Sequence, residues 1–244
     1  MNTFIDIHTH IKSGEPSVTE ILNIQPEDPF PGGFCSSALH PWLIPQTDIE
    51  QAFSLLEQKI SAGHLKAVGE CGLDRPNFAK SAPSPPADRT QQKENGQRIQ
   101  TEIFRRHIEL ANFAELPLVI HCVRAYPEII QIRKSFNSTT PWIIHGFRGS
   151  PETAAELIKN EIYLSFGKTL LHHGPLSDKL AETFRKIPQD KFFLESDNTE
   201  SPSVSIAEIY RTAAEIRNTP LPSLIQQLKQ NFLTVFGKTA NFAD

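Results

Sequence analysis

The chain has 244 residues, 39% hydrophobic and 21% charged, with a net charge of −4 and a sequence pI near 6.1. That length fits two small domains or one α/β barrel of about 250 residues, and the composition suits a soluble protein with a sizeable core. The charge excludes a basic, non-specific nucleic-acid coat; a polyanionic substrate would have to be met locally, by a cation or a few Arg and Lys.

Three cysteines, Cys35, Cys71 and Cys122, stand at no framework spacing, which argues against a disulfide scaffold and for a reducing compartment. The segment from Met1 to Asp6 has no basic region followed by an apolar one, and no apolar run approaches the roughly 20 residues that cross a bilayer. A cytoplasmic protein with no membrane partner is expected.

The first strand signal runs from Phe4 to His8. A weaker one covers Thr19 to Ile24, and a third covers Phe34 to His40. Ile49, Phe53, Leu56 and Ile60 then share one helical face. Leu65 to Glu70 is the next strand, followed by a proline-rich segment, Asn77 to Arg89, read as a surface loop. Ile99, Ile103, Phe104, His107 and Leu110 form a second helical face. Leu118 to His121, Trp142 to His145, Ile162 to Phe166 and Phe192 to Asp197 complete the strands, with Ala154, Leu157 and Ile158 as a short helical face among them. Leu221 to Phe236 reads as a terminal helix with Pro220 and Pro222 at its start.

The length and the β-branched or aromatic content of these runs mark buried strands, and strand alternating with helix implies parallel βαβ units. Eight runs predict a TIM-type (β/α)8 barrel as a single domain over residues 1–244, with an open doubly wound sheet as the alternative. Residues 11–18 and 25–31 conflict with regular units, since a parallel crossover takes about a dozen residues or more. Either the second run is not a regular strand, or the barrel is distorted and its first βα units are abbreviated.

The chemistry lies where the runs end. Alternation along a strand turns Asp6, His8 and His10 the same way, so two imidazoles at i and i+2 can reach one cation. Glu70, His121, His145 and Asp197 each close another run, and in a barrel those ends converge on one face. Nitrogen and carboxylate donors without thiolates suit Zn²⁺, Mn²⁺, Fe²⁺ or, with more water, Mg²⁺. Six donors are too many for one tetrahedral ion, so Glu70 could bridge two. Water activated by the cations would be the nucleophile, with Asp197 placed to orient or deprotonate it.

These residues resemble the TatD-like metal-dependent deoxyribonucleases of the wider amidohydrolase barrel superfamily. The likeness runs in order through Ile5-Asp6-Ile7-His8-Thr9-His10, Leu39-His40-Pro41-Trp42, Val68-Gly69-Glu70-Cys71-Gly72-Leu73-Asp74, Val119-Ile120-His121-Cys122, His145-Gly146-Phe147-Arg148-Gly149-Ser150, Ile162 to Gly167, and Leu194-Glu195-Ser196-Asp197. It implies a distorted TIM barrel with two divalent ions (Mg, Mn or Zn): His8, His10 and Asp197 on one, His121 and His145 on the other, Glu70 between them. It also implies hydrolysis of DNA phosphodiesters, usually from an end. Two departures concern the substrate pocket: Asn198-Thr199-Glu200-Ser201-Pro202 replaces an aromatic-rich stretch, and the arginine close after the fifth-strand His stands at Arg124, with Val123 inserted.

Around this set, His40, Arg124 and Arg148 are candidate contacts to DNA or another phosphodiester substrate. Asp6 is read as a buried group supporting the ligands rather than one of them, and Asp74 and Glu195 as groups that orient ligands or loops. Lys168 is a weaker phosphate candidate, read first as solvated surface; Cys71 and Cys122 are read as small core residues facing the helices, and His64, His107, His172 and His173 as without a role. The alternatives to a nuclease are a related barrel hydrolase acting on an amide or ester, and a non-catalytic barrel that only binds.

Overall fold

Eight strands lie side by side in sequence order, each parallel to the next. They are β1 (Phe4–Thr9), β2 (Val18–Ile24), β3 (Phe34–Ser37), β4 (Leu65–Asp74), β5 (Leu118–Val123), β6 (Trp142–Ile144), β7 (Ile162–Phe166) and β8 (Phe192–Leu194). The structure, a computed structural model, describes residues 3–75, 86–136, 138–172, 174–200 and 204–237. Past the end of β8, Asp197 N–H donates to the His8 carbonyl at 3.0 Å and His10 N–H to the Asn198 carbonyl at 3.0 Å. These bonds bring the last strand back to the first, so the sheet is a nearly closed barrel and the open-sheet alternative falls.

The helices are α1 (Ile49–Ser61), α2 (Pro86–Ala114), α3 (Tyr126–Ser135), α4 (Pro151–Lys159), α5 (Pro175–Lys186), α6 (Ile206–Arg217) and α7 (Leu221–Phe236). Local chemistry starts several of them. Asp48 caps α1 by accepting Gln51 N–H, and Ser150 caps α4 by accepting Thr153 N–H, with Pro151 next in the first turn, where a missing N–H costs nothing. No helix joins β1 to β2 or β2 to β3, so the abbreviated reading of the early units holds and Val18–Ile24 is a true strand.

One expectation needs correction. The proline-rich segment read as a loop reaches Arg89, but α2 already begins at Pro86, because proline is tolerated in the first helical turn; residues 77–85 lie outside the described part. Helices α3, α5 and α6 were not singled out from the sequence.

Two apolar layers organise the barrel. Inside, Ile5, Ile21, Ala67, Val119, Ile143 and Phe193 come from the first half or the middle of their strands and pack with Phe232, Val235 and Phe236 of α7. That helix plugs the N-terminal mouth and leaves the C-terminal ends for polar groups. Outside, Val68, Cys71, Leu118, Ile120, Trp142, Ile144 and Leu164 pack against the helices, with Cys122 partly buried beside them. Both cysteines are thus core residues, as expected, and burial pushes the Cys122 thiol up to about 12.

His107, given no role from the sequence, is fully buried on α2 and accepts Leu39 N–H at 3.1 Å. Burial pushes it down to about 3, against about 6.5 when unfolded. Below pH 6.5 the unfolded chain therefore binds a proton that the folded chain refuses, so stability is lost as pH falls toward 3. Between pH 7 and pH 5 this amounts to about 2 kcal/mol. His107→Gln keeps an acceptor for Leu39 but does not titrate, and its stability should fall correspondingly less over that range; equal pH slopes in denaturant melts would contradict this.

Candidate metal centre

The expected ligands all reach the C-terminal mouth. His8 lies within β1 and His10 just beyond it; Glu70 lies in β4, His121 in β5, His145 directly after β6 and Asp197 shortly after β8. Strict alternation does not carry β1 there. Asp6 pairs with Glu20 but Thr9 with Leu22, so a bulge intervenes and shifts the facing of the strand. Ile5 and Ile7 both join the interior cluster, which leaves Asp6 facing away from it. Asp6 does not share the direction of the two imidazoles: it accepts the backbone N–H of His8 at 3.3 Å and of Ser196 at 3.0 Å, at the seam between β1 and β8. Burial there raises its carboxyl to about 7.

Two glycines frame Glu70 in β4. A Cβ at Gly69 would stand 2.6 Å from both Cβ and the carbonyl oxygen of Val119, and one at Gly72 would collide with the His121 carbonyl. At these two positions β4 runs too close to β5 to admit a side chain, and Glu70 stands between them.

The Glu70 carboxylate lies between two groups of imidazoles. Its Oε2 faces His8 Nε2 at 3.4 Å and His10 Nε2 at 3.6 Å. Its Oε1 meets His121 Nδ1 at 2.6 Å, His145 Nε2 at 2.7 Å and His40 Nε2 at 3.3 Å. Asp197 Oδ1 completes the first group, 3.9 Å from His8 Nε2 and 3.6 Å from His10 Nε2. Three overlapping sets each offer donor atoms within 4.8 Å of one another: His8, His145 and Asp197; His8, His10 and Glu70; and His40, Glu70 and His121.

These residues fit a divalent cation. Donors about 2.1 Å from a tetrahedral ion stand about 3.4 Å apart, close to the spacings around His8, His10, Glu70 and Asp197. His8 is fully buried, yet neither ring nitrogen has a hydrogen-bond partner, and a buried polar atom left unpaired costs free energy that an ion would recover.

The charges agree with that reading. Burial alone would raise Glu70, but the imidazoles of His145, His121 and His40 hold it well below the usual carboxylate range. Burial likewise works against Asp197, yet His10, His8 and His145 bring it down to about 2. Burial disfavours a charged His145, but Glu70 and Glu195 hold it well above the ordinary histidine value. His121 is also raised, its burial outweighed by Asp74 and Glu70. His40 moves the other way, lowered chiefly by burial. The site thus sets ionised carboxylates against imidazoles that carry the compensating positive charge, a role a cation would take over when bound.

A second ring of groups fixes the ligands. Asp74 Oδ2 lies 3.2 Å from His121 Nε2 and accepts Trp42 Nε1–H at 2.6 Å. Glu195 Oε1 accepts Gly146 N–H at 2.6 Å and lies 3.5 Å from His145 Nδ1. Both carboxylates thus stand against an imidazole of the cluster. The floor opens into a cleft of about 310 Å³ lined also by Gln25, Trp42, Leu43, Lys168 and Thr199.

The candidate substrate contacts fare differently. His40 lies in the cluster itself, whereas Arg124 and Arg148 are exposed and do not line the cleft. Lys168, read as solvated surface, does line it, and its Nζ donates to the Asp197 carbonyl at 3.1 Å. Among the remaining histidines, His64 stacks on Phe30 at 4.0 Å between ring centroids and His172 is exposed; His173 lies outside the described residues.

Comparison with known proteins agrees with this architecture. The chain is 33% identical over 153 residues to the uncharacterized metal-dependent hydrolase YabD of Bacillus subtilis, a match covering 61% of this chain and 52% of that relative, so it spans about half the relative's length. It is 30% identical to the 3′-5′ ssDNA/RNA exonuclease TatD of a Rahnella strain, over 68% of this chain and 57% of that one. The crystal structure of the TatD homologue YjjV from Escherichia coli superposes with a TM-score of 0.72 at 20% identity, covering 96% of this chain and 97% of that one. A model of the TatD-related DNases matches residues 6–237, the stretch that carries every donor around Glu70, and on that match the chain belongs to the TatD-related DNase family.

Proposed function

We propose that the protein is a metal-dependent hydrolase that cleaves phosphodiester bonds at nucleic-acid ends, with two divalent ions, one on each side of Glu70. The observation that supports this most is the divided environment of that carboxylate: His8 and His10 toward Oε2, His121 and His145 toward Oε1. Bound there, such ions would make a water molecule more acidic and neutralise phosphate oxygens.

The chain's own residues would supply the rest. Asp197 is ionised at neutral pH and its side chain is 28% exposed toward the cleft, so its carboxylate would orient an attacking water and receive its proton. Asp74 and Glu195 hold His121 and His145 in one orientation. Lys168 places a positive charge beside Asp197, where a substrate phosphate would lie.

Assays of the cation-loaded protein on end-labelled oligonucleotides, beside panels of amides and carboxylic esters, test the assignment. Stepwise release of nucleotides is expected, and a clear preference for amides or esters would overturn it. Lys168→Ala should also flatten the salt dependence of oligonucleotide binding. The slope of log affinity against log salt should drop by about 0.7, one phosphate contact on a single strand; an unchanged slope would remove Lys168 from the substrate site.

A further inference from the structure

The rim of the cleft carries one large aromatic side chain with no packing explanation. Trp42 is 53% exposed, while the chain's other tryptophan, Trp142, is fully buried. Exposure here does not mean looseness. Trp42 Nε1 is bonded to Asp74, and its backbone N–H donates to His40 Nδ1 at 3.1 Å. The indole meets the His40 ring at 4.9 Å and the His121 ring at 5.8 Å, both near perpendicular. A rigid apolar surface is thus fixed beside two imidazoles of the cluster while remaining open to a ligand.

The cleft that Trp42 borders has about 310 Å³, the low end of small-ligand pockets, which run from about 300 to 1,000 Å³. That suits one nucleotide unit and is too small for a duplex end. Lys168 stands in the same cleft to meet a phosphate. A nucleotide held by its phosphate at the cation cluster would bring its base level with the rim, where the half-exposed indole of Trp42 offers a larger π-face than the largely buried imidazoles of His40 and His121.

Resting on the phosphodiesterase reading above, we infer that Trp42 is the platform on which the base of the terminal nucleotide stacks. Stacking on an aromatic side chain is tolerant of base identity because every base has a π-face.

The test compares an oligonucleotide with an ordinary terminal nucleotide and one with a base-free tetrahydrofuran nucleotide at the same end, both given to the cation-loaded protein. In the wild type, loss of the base should raise KM at least about fivefold, the low end of base–aromatic stacking. In Trp42→Ala the two KM values should converge to within about twofold. Trp42→Phe keeps a ring but loses the bond to Asp74, and should keep most of the discrimination, which separates stacking from the positioning of Asp74. A second measurement needs no turnover: with Trp142 buried, acrylamide quenching reports on Trp42, and dAMP should shield it where 2-deoxyribose 5-phosphate does not. Equal KM values in the wild type, or equal shielding by the two ligands, would overturn the role of Trp42 and leave the phosphodiester reading standing. Cleavage of neither oligonucleotide would overturn both.

Discussion

Glu70→Gln is expected to lower turnover at least about a hundredfold while leaving the fold intact. The substitution keeps the volume and one acceptor oxygen but removes the negative charge that faces two groups of imidazoles. Loss of groups that merely support a metal ligand already costs about 10–100-fold, and Glu70 would lose direct contact with both ions. The amide also puts N–H donors where an imidazole or cation needs an acceptor. Circular dichroism of the variant should match the wild type, and its cation uptake by calorimetry should drop. Retention of more than about a tenth of the activity would show that Glu70 does not stand between the ions.

Gly72→Ala is expected to have the largest effect on stability. Its backbone is at φ +139°, and the new Cβ would collide with the His121 carbonyl, a backbone atom that cannot swing aside. A disfavoured conformation costs about 1–3 kcal/mol and overpacking a similar amount, so a loss of about 3 kcal/mol or more follows. For a chain of this size that lowers Tm by about 6–12 °C, and displacement of His121 should lower activity with it. Gly32→Ala is the control: φ is +77° with nothing within 4 Å of its Cβ, so only the conformational cost remains. A Gly72→Ala variant no less stable than Gly32→Ala would contradict the close approach of β4 to β5.

Much of this architecture was legible from residue order because a barrel imposes a simple rule. Each buried strand needs a short apolar run, and each run's polar terminus falls on the same mouth. That rule placed His121, His145 and Asp197 without any knowledge of the loops. It failed where local geometry departs from regular strands. The bulge between Asp6 and Thr9 has no composition signal, so alternation misplaced Asp6. His40 lies three residues past the end of β3, and only the turn through Pro41 sends it into the cluster rather than to the rim.

The arginines show the opposite error. Arg124 and Arg148 follow ligand-bearing strands, but both side chains are exposed and neither lines the cleft. Lys168, at the start of a 3-10 helix after β7, and Trp42, in a turn after β3, reach the cleft through tertiary contacts to Asp197 and Asp74 respectively. His107 could have been suspected from its place on the apolar face of α2, since a histidine among Ile103, Phe104 and Leu110 needs a buried partner; that the partner is Leu39 N–H was beyond sequence.

Crystals grown with Mn²⁺ and measured at the manganese absorption edge test the central claim most directly. The account predicts anomalous peaks on both sides of the Glu70 carboxylate, one among His8, His10 and Asp197, the other at His121 and His145. No peak at that carboxylate, or ions bound only elsewhere on the surface, would contradict it.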